Sequence, residues 1–312
     1  MTLQQIFYVI TISEYGSMNK AAEALFISQP TLTSAVKELE AEIGTLIFRR
    51  TGKGAVLTAE GEEFLVYARQ LYQQYELLSE KYSKSGNIKR KFGISSQHYS
   101  FAVKAFVETV KKFGTLHYEF AMREGKTLDV INDVSTLKSE IGIIYINDFN
   151  KKVMNKIFHD NELEFFKLID CKAYVYIWKN HPLAKNKSIS FSELADFPCL
   201  SFEQGDKGSF YFAEEILSTN DYQRIVKATD RSTMLNLMVG LNGYTLCSGI
   251  ICEELNGSDF VAVPFEADEN NPNSSMEIGY ILKKRSPISE IGAIYIEEVK
   301  KYLANVRQFI TV

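Results

Sequence analysis

The strongest constraint on the fold is a series of helix start and stop signals in the first 58 residues. The first predicted helix carries an amphipathic stripe of Leu3, Ile6, Phe7 and Ile10. Thr2 can cap its start, and Gly16 can close its end in the left-handed conformation. Ser17 can cap a second, alanine-rich helix, and Ser28 a third, which has Pro30 in its first turn. Two short helices with so brief a connection are typical of a helix-turn-helix.

The third helix has an apolar inner face and a short, polar outer face. Its inner stripe is Leu32, Val36, Leu39 and Ile43, and Gly44 follows as a stop signal. A helix that reads DNA needs such an outer face to approach base edges in the major groove. Glutamine can bond bidentately to adenine, and a threonine methyl can touch the thymine methyl. The predicted DNA contacts of this helix are Gln29, Pro30, Thr31, Thr33, Ser34 and Lys37.

A basic hairpin is predicted directly after the third helix. Two short apolar runs, 46–48 and 55–57, flank a tip that contains glycine and basic residues. A basic turn alone is usually solvated surface, but after a helix-turn-helix this one favours contact with phosphates. We expect Arg49, Arg50 and Lys53 to hold phosphates of double-stranded DNA without carrying sequence information.

Thr58 can cap a long helix that runs to about residue 83. Apolar residues alternate at spacings of four and three, as in the seam of a coiled coil. The predicted dimer seam is Phe64, Ala68, Leu71, Tyr75 and Leu78. The alternative is a helix that packs on its own domain. Residues 83–87 are polar and mark a boundary, so we predict a DNA-binding domain at 1–58, a linker helix at 59–88 and a further domain at 89–312.

From residue 89 onward, predicted strands and helices alternate. Strands are expected at 92–95, 118–122, 141–145, 174–178, 199–202, 244–247 and 276–282. Helices are expected at 101–113, 128–137, 210–218 and 232–239, and from Ser286 toward the end. Such alternation predicts an α/β fold with a mostly parallel sheet and helices on both faces.

Composition and motifs exclude several classes of protein. The chain has 35 basic and 39 acidic residues, a formal charge of −4, so net charge alone would not hold it on nucleic acid. No apolar run reaches the ~18 residues of a membrane span, and residues 1–10 show neither the basic region nor the small-residue cleavage site of a secretory signal. We therefore expect a cytoplasmic protein without membrane contact. The four cysteines and four histidines show no metal-ligand spacing, and we expect no metal and no other cofactor. No nucleotide-binding or hydrolase motif is present, and we expect no enzyme.

The N-terminal residues closely resemble the signature of the LysR-type transcriptional regulator family. The resemblance rests on Ala21-Ala22 through Leu25, Ile27 through Thr33, Leu39-Glu40, Ile43-Gly44, Leu46, Phe48, Arg50, Leu57-Thr58 and Gly61. Beyond the linker it is weaker and rests on Arg123-Glu124-Gly125, Thr127, Ile141-Gly142-Ile143 and Gly240. One departure is the wing segment Thr51-Gly52-Lys53, where an arginine is commoner in the family.

The resemblance implies a winged helix-turn-helix, a dimerising linker helix and an effector domain of two Rossmann-like α/β lobes, like a periplasmic binding protein. It further implies that the chain crosses between the lobes near Asp160 and near Pro264. Lobe one would then comprise residues 89–160 and 265–312, and lobe two residues 161–264.

The family resemblance also places a small-molecule effector in the cleft between the lobes. Matched position by position, its walls would be Ser95, Ser96, Gln97, His98, Arg123, Tyr145, Ser201 and Phe202, with Ser248-Gly249 as weaker candidates. The residues themselves add that Ser95–His98 stand between a strand end and a helix start. Hydroxyls and backbone N–H groups there favour a carboxylate or another anion. Each of these residues could equally belong to an ordinary capped loop.

These features together predict a sequence-specific DNA-binding transcriptional regulator whose activity a small-molecule effector modulates. It would act as a homodimer or homotetramer on operator DNA. One alternative is a cytoplasmic small-molecule-binding protein or α/β enzyme with an accessory interaction domain. Another is a winged-helix regulator of a different family with an unrelated ligand domain.

Overall fold

The chain folds into two compact units, Met1–Ile88 and Lys89–Val312, here called unit 1 and unit 2. The computed structural model describes residues 1–51, 54–82, 90–114, 117–205, 210–266 and 274–310. Unit 1 consists of α1 (Leu3–Tyr15), α2 (Met18–Ala24), α3 (Gln29–Ile43), β1 (Phe48–Thr51), β2 (Gly54–Leu57) and α4 (Ala59–Tyr82).

The predicted helix caps of unit 1 are confirmed. The side-chain oxygens of Thr2, Ser17 and Ser28 each accept a hydrogen bond from a backbone N–H in the first turn of α1, α2 and α3. Gly16 and Gly44 end α1 and α3 in the left-handed region, with φ of 61° and 70°. Local capping therefore sets the start of the first three helices, since each cap satisfies an N–H that the helix leaves unpaired.

The core of unit 1 lies among all four helices. Val9 and Ile12 of α1 and Leu32 of α3 are fully buried there. Leu65 and Ala68, in the first half of α4, belong to the same cluster. The start of α4 is thus part of the domain core, and only its later turns leave the core.

Among the elements that the structure describes, unit 2 has nine strands, five helices and a short 3-10 turn before its last strand and helix. The elements are β3 (Arg90–Ser96), α5 (Ser100–Lys111), β4 (Tyr118–Glu124), α6 (Thr127–Ser135), β5 (Ile141–Ile146), α7 (Lys151–Asp160), β6 (Leu163–Lys172), β7 (Tyr174–Trp178), β8 (Cys199–Phe202), the turn Phe210–Phe212, β9 (Ile225–Ala228), α8 (Arg231–Leu241), β10 (Thr245–Cys247), α9 (Glu253–Asn256), β11 (Phe260–Pro264), β12 (Ser275–Lys283) and α10 (Glu290–Ile310). Among the described residues of both units, no helix is long and apolar enough to cross a membrane.

Lobe one is built on a five-stranded sheet of order β4-β3-β5-β12-β6. β3 runs parallel to β4 and to β5, as the alternation of strands and helices predicts. β12 is antiparallel to both β5 and β6, so the sheet is mixed and not wholly parallel. The α/β fold class is confirmed, while the antiparallel side was not visible in the sequence pattern.

Lobe two contains the strands between β6 and β12. β10 and β11 flank β7 in antiparallel pairs, and β8 pairs in parallel with β9. An isolated parallel bridge between Cys199 and Tyr244 brings these two groups of strands together. Helix α8 covers them, with Met234 and Met238 buried in a small apolar cluster.

The first crossing between the lobes lies at Ala173 and not near Asp160, where the prediction put it. β6 pairs with β12 along its full length, from Leu163 to Lys172, and so still belongs to lobe one. β7 of lobe two then starts at Tyr174. β11 ends at Pro264, and the Phe265 N–H donates to the Ala173 carbonyl at 3.1 Å, so the two connections lie side by side.

The prediction of a helix at Phe210–Ser218 is wrong, because only a 3-10 turn at Phe210–Phe212 forms in this segment. Side chains of lobe one donate hydrogen bonds to backbone carbonyls of this segment, which in a helix would accept from the segment's own N–H groups. The Tyr145 hydroxyl donates to the carbonyls of Ala213 and Glu215, at 2.9 and 3.3 Å. The Thr127 hydroxyl donates to the Phe212 carbonyl at 2.8 Å. Tertiary hydrogen bonds therefore override the local helical pattern.

The close packing of α4 against the backbone at Ile47 can be tested by substituting a glycine of that helix. A Cβ on Gly61 would lie 2.1 Å from the Ile47 carbonyl oxygen, whereas one on Gly240 of α8 would meet nothing within 4 Å. We expect Gly61→Ala to destabilise the protein by roughly 1–3 kcal/mol, because backbone must shift. Gly240→Ala, the matched control, should be neutral or gain up to about 1 kcal/mol. Thermal unfolding of both variants would show the difference, and equal stability would contradict the close approach.

Candidate nucleic-acid interface and ligand cleft

Helix α3 presents a polar face on the surface of unit 1. Leu32, Val36 and Leu39 are buried, with exposed fractions of 2% or less. The opposite face exposes Pro30, Thr31, Ser34 and Lys37. The predicted division into inner and outer faces is observed, so these four side chains are available to a partner surface.

Gln29 and Thr33, also predicted as base contacts, are half-buried and bonded to each other. The Gln29 Nε2 donates to the Thr33 Oγ1 at 2.6 Å. One amide hydrogen of Gln29 is therefore committed within the helix. A bidentate contact with adenine would use the amide oxygen and the other N–H.

The wing is the two-stranded hairpin β1–β2, with Arg49 opposite Val56. The Arg49 side chain is exposed. The side chain of Arg50 and the whole of Lys53, both predicted as phosphate contacts, lie outside the described residues. The Glu40 Oε1 accepts hydrogen bonds from the backbone N–H groups of Ile47 and Phe48, at 2.7 and 3.0 Å. This carboxylate of α3 fixes the position of the wing relative to that helix.

The predicted seam on α4 divides into a buried and an exposed part. Ala68 is 3% exposed and Phe64 half-buried, because both pack on the core of unit 1. The prediction was wrong for Ala68, which has almost no surface left to offer a partner. The remaining apolar surface is a row that we call the α4 stripe. It consists of Tyr67, Leu71, Tyr75 and Leu78, with 63%, 42%, 44% and 60% of their surface exposed.

Unit 2 contains a cleft between its lobes with about 700 Å³ of space between atoms, part of it open to solvent. His98 stands on the lobe-one side, and Phe202 on the lobe-two side. Their rings stack with centroids 3.8 Å apart and planes within 7°. Both were predicted as cleft residues, and Ser248, a weaker candidate, also lines the cleft. Most of the remaining lining is apolar and includes Tyr176, Met234, Leu235, Met238, Ile250, Ile251 and Met276.

Ser95 and Arg123 do not line this cleft, contrary to the prediction. They are neighbours in the register of β3 and β4. The Ser95 hydroxyl donates to the Asp133 carboxylate at 2.6 Å and lies 2.8 Å from the Ser139 Oγ. The Arg123 guanidinium donates to the same Ser139 Oγ at 3.2 Å. Both side chains are therefore used within lobe one, on the face of the sheet that carries α6.

The other predicted wall residues sit behind the cleft surface. Ser96, Gln97 and Tyr145 are each no more than 2% exposed. The Gln97 amide donates to the Thr127 hydroxyl at 2.5 Å and accepts from the Tyr145 N–H at 3.0 Å. Ser201 is half-buried in β8 and is absent from the described lining. None of these four residues is in the described lining of the cleft, and their contact with an effector stays a prediction.

Two glutamates that sequence reasoning missed lie in the cleft. Glu214 is held by lobe one, since its Oε2 accepts from the His98 backbone N–H at 3.0 Å and lies 2.8 Å from the His98 Nδ1. The Glu214 Oε1 accepts from the Gln204 amide at 2.8 Å. Both acids fall in the segment 210–218, where a helix was expected, and no local sequence signal marks them as buried.

Glu215 is adjacent and equally buried. Its Oε1 accepts from the Phe202 N–H at 2.6 Å. Burial, and secondly the charge of Glu214, raise the pKa of the Glu215 carboxyl to about 8. At neutral pH this group is therefore mostly protonated and uncharged.

An ion pair closes one side of the cleft. Arg231, at the start of α8 in lobe two, bonds to Glu124, at the end of β4 in lobe one. Burial raises the pKa of Glu124, and the arginine opposes that shift. The pair ties the two lobes together at the cleft. Within the described residues, no group of three or more histidine, cysteine, aspartate or glutamate side chains is arranged to hold a metal ion.

Comparison with protein families gives two matches. The description "Bacterial regulatory helix-turn-helix protein, lysR family" matches residues 3–62. The description "LysR substrate binding domain" matches residues 117–304. Together they cover unit 1 up to the start of α4 and most of unit 2, which is well over half of the chain.

Individual relatives and solved structures agree with those matches. YvbU of Bacillus subtilis, an uncharacterised HTH-type transcriptional regulator, is 27% identical over 67% of this chain and 69% of its own. HcaR, the Hca operon transcriptional activator of Escherichia coli, is 26% identical over 80% of this chain and 82% of its own. A full-length OxyR variant of Pseudomonas aeruginosa has a TM-score of 0.68 at 19% identity, covering 96% of this chain and 98% of its own. CbnR complexed with its target DNA has a TM-score of 0.56 at 16% identity, and the match covers 97% of this chain and 100% of the CbnR chain. The structures show a shared fold.

The raised pKa of Glu215 predicts a pH dependence of stability. Between about pH 5 and pH 8 the carboxyl is protonated in the folded chain and ionised in the unfolded chain. Unfolding then releases a proton, so the free energy of unfolding should fall as pH rises, by at most about 1.4 kcal/mol per pH unit from this group. Glu215→Gln keeps the acceptor for Phe202 and removes the titration. Denaturation curves should show that the free energy of unfolding of the variant rises relative to that of wild type from pH 5 to pH 8. Parallel pH profiles would contradict the raised pKa of Glu215.

Proposed function

Because the chain belongs to the LysR family of bacterial helix-turn-helix regulators, we propose that it reads operator DNA with α3 and responds to a small molecule bound between the lobes of unit 2. Members of this family are DNA-binding transcriptional regulators with an effector-binding domain. The named relatives are transcriptional regulators. We accordingly propose that the cleft binds its ligand without transforming it, and that the protein acts in the cytoplasm, where bacterial DNA lies.

The outer face of α3 is the observation that carries the DNA-reading proposal. Thr31, Ser34 and Lys37 are exposed over a fully buried inner stripe, at the start of a helix that Ser28 caps. Short polar side chains let the helix approach base edges, while Arg49 on the wing supplies charge for phosphates. We propose that Gln29, Thr31, Ser34 and Lys37 set the sequence preference and that Arg49 contributes affinity.

The α4 stripe supports a proposed homodimer. Leu71, Tyr75 and Leu78 repeat at the spacings of a coiled-coil seam and remain exposed in the single chain. Burying apolar surface contributes about 25 cal/mol per Å², so a partner helix on this stripe would stabilise the pair. A two-fold dimer presents two recognition helices to two half-sites of an operator. A tetramer, formed from two such dimers, is the further possibility for the family.

Base contacts and phosphate contacts predict different effects of mutation. Gln29→Ala should shift preference among operator variants by roughly 1–3 kcal/mol, because base contacts carry the discrimination. Arg49→Ala should weaken binding to all sequences alike and lower the slope of log affinity against log salt by about one. Arg49→Lys, which keeps the charge, should retain that slope. Competition binding to labelled duplexes at several salt concentrations measures both effects, and unchanged preference in Gln29→Ala would exclude Gln29 as a base contact.

The α4 stripe is tested by placing a charge on it. Leu71→Asp should weaken the dimer by roughly several kcal/mol, because an unpaired charge would be desolvated in the seam. Leu71→Ala, which removes contact without adding charge, should have a smaller effect. Since Leu71 is exposed in the single chain, both variants should remain folded by circular dichroism. Light scattering measures the oligomer, and an unchanged mass for Leu71→Asp would exclude the stripe as the interface.

A further inference from the structure

We infer that the cleft of unit 2 takes an amphipathic small molecule without negative charge, whose apolar body lies among the methionines and Phe202 and whose polar group bonds to Thr245. The inference rests on the proposed function, since it names the class of effector for the same cleft. It also replaces the anion that the sequence around Ser95–His98 favoured. Three features of the cleft support this inference. The Thr245 hydroxyl has no hydrogen-bond partner among the described residues, the Glu214 carboxylate bonds to His98, and the nearby arginines are already bonded to other side chains.

The Thr245 hydroxyl is the first feature. Thr245, in β10, lines the cleft and is 7% exposed. Its Oγ1 is buried and has no hydrogen-bond partner among the described residues. Leaving such a group unpaired in an apolar setting is unfavourable, so a ligand that bonds to it gains affinity. A hydroxyl both donates and accepts, and it therefore suits an amide, an alcohol or an ammonium group.

The carboxylate of Glu214 is the second feature. The backbone N–H of His98 belongs to the Ser95–His98 segment, where the sequence favoured an anionic ligand. In the structure that N–H donates to the Glu214 Oε2 at 3.0 Å, and the imidazole of His98 approaches the same oxygen. The protein's own carboxylate occupies the anion position. A ligand carboxylate would have to displace it or lie beside it.

The cations near the cleft are the third feature, because they are already paired. Arg231 lines the cleft and bonds to Glu124. Arg123 bonds to Ser139, away from the cleft. A negatively charged ligand would therefore enter a site that holds the Glu214 carboxylate and a single, already engaged arginine, at a high desolvation cost.

The remaining lining suits an apolar body. Met234, Met238 and Met276 are flexible side chains that adapt to the shape of a ligand. The stacked rings of His98 and Phe202 form a flat wall beside them. These features fit a molecule with an aromatic or branched aliphatic body and one polar end.

The test uses sets of three compounds that differ only in the polar end. Phenyl, indolyl and hexyl bodies would each carry a carboxylate, a primary amide or a primary amine, and each compound would be added to the full chain in a thermal-shift assay. A ligand that binds only the folded state raises its apparent stability. We expect at least one amide or amine to raise the unfolding temperature, and its carboxylate partner to raise it less. A larger shift with the carboxylates, or no shift with any amide or amine, would overturn the inference.

Variants at Thr245 and Glu214 test the assigned roles. Thr245→Val keeps the shape and removes the hydroxyl, so the ligand-free protein should unfold at the same or a higher temperature while affinity for the bound compound falls on the order of tenfold. Thr245→Ser, the control, should retain binding. Glu214→Gln should improve carboxylate binding relative to the amine. Unchanged affinity in Thr245→Val, with the ligand-free protein still folded, would remove Thr245 from the site.

Operator binding separates this inference from the proposed function. If an amide or amine binds but leaves operator affinity unchanged, the ligand class is right and the proposed control of DNA binding is wrong. If a carboxylate binds best and changes operator affinity, the proposed function holds and the ligand class is wrong. Both measurements use the full chain and the same compounds.

Discussion

The arrangement of unit 2 depends on one buried carboxylate. Glu214 comes from lobe two, but its hydrogen-bond donors include the backbone N–H and imidazole of His98 in lobe one. A buried carboxylate without donors is strongly unfavourable, so the fold must keep these groups in contact. The start of α5 is thereby tied to lobe two, and the cleft forms around this contact.

The segment that carries Glu214 owes its conformation to the opposite lobe. Tyr145, Thr127 and Asn150 donate hydrogen bonds to four carbonyls between residues 211 and 215. These bonds hold the chain open where its sequence alone favours a helix. The result turns Glu214 and Glu215 inward, toward the cleft, and gives the site its acidic character. The chemistry of the cleft is thus a consequence of contacts between lobes and not of local sequence.

The difference between local signals and contacts with distant residues explains which features could be predicted from the sequence. The caps at Thr2, Ser17 and Ser28 act within one turn of their own helix, and sequence spacing was enough to find them. The inner stripe of α3 likewise follows from helical periodicity alone. Ser95 and Arg123 were misplaced because strand register decides which face of the sheet each side chain joins, and that depends on distant residues. The crossing at Ala173 was misplaced for the same reason, since β6 is defined by its pairing with β12.

The contacts between lobes also limit how a ligand can act. Glu214 with His98, Arg231 with Glu124, and Lys104 with Glu254 join the two lobes. A ligand in the cleft would have to act on a pair of lobes that these contacts hold together. It shifts the arrangement only as far as its affinity differs between two lobe positions. Thr245 lies in lobe two, while Met276 and His98 lie in lobe one, so a molecule that touches all three senses the distance between the lobes. A bulky apolar body would favour a wider cleft, and a short one would favour a closed cleft, because the same polar anchor fixes one end of each.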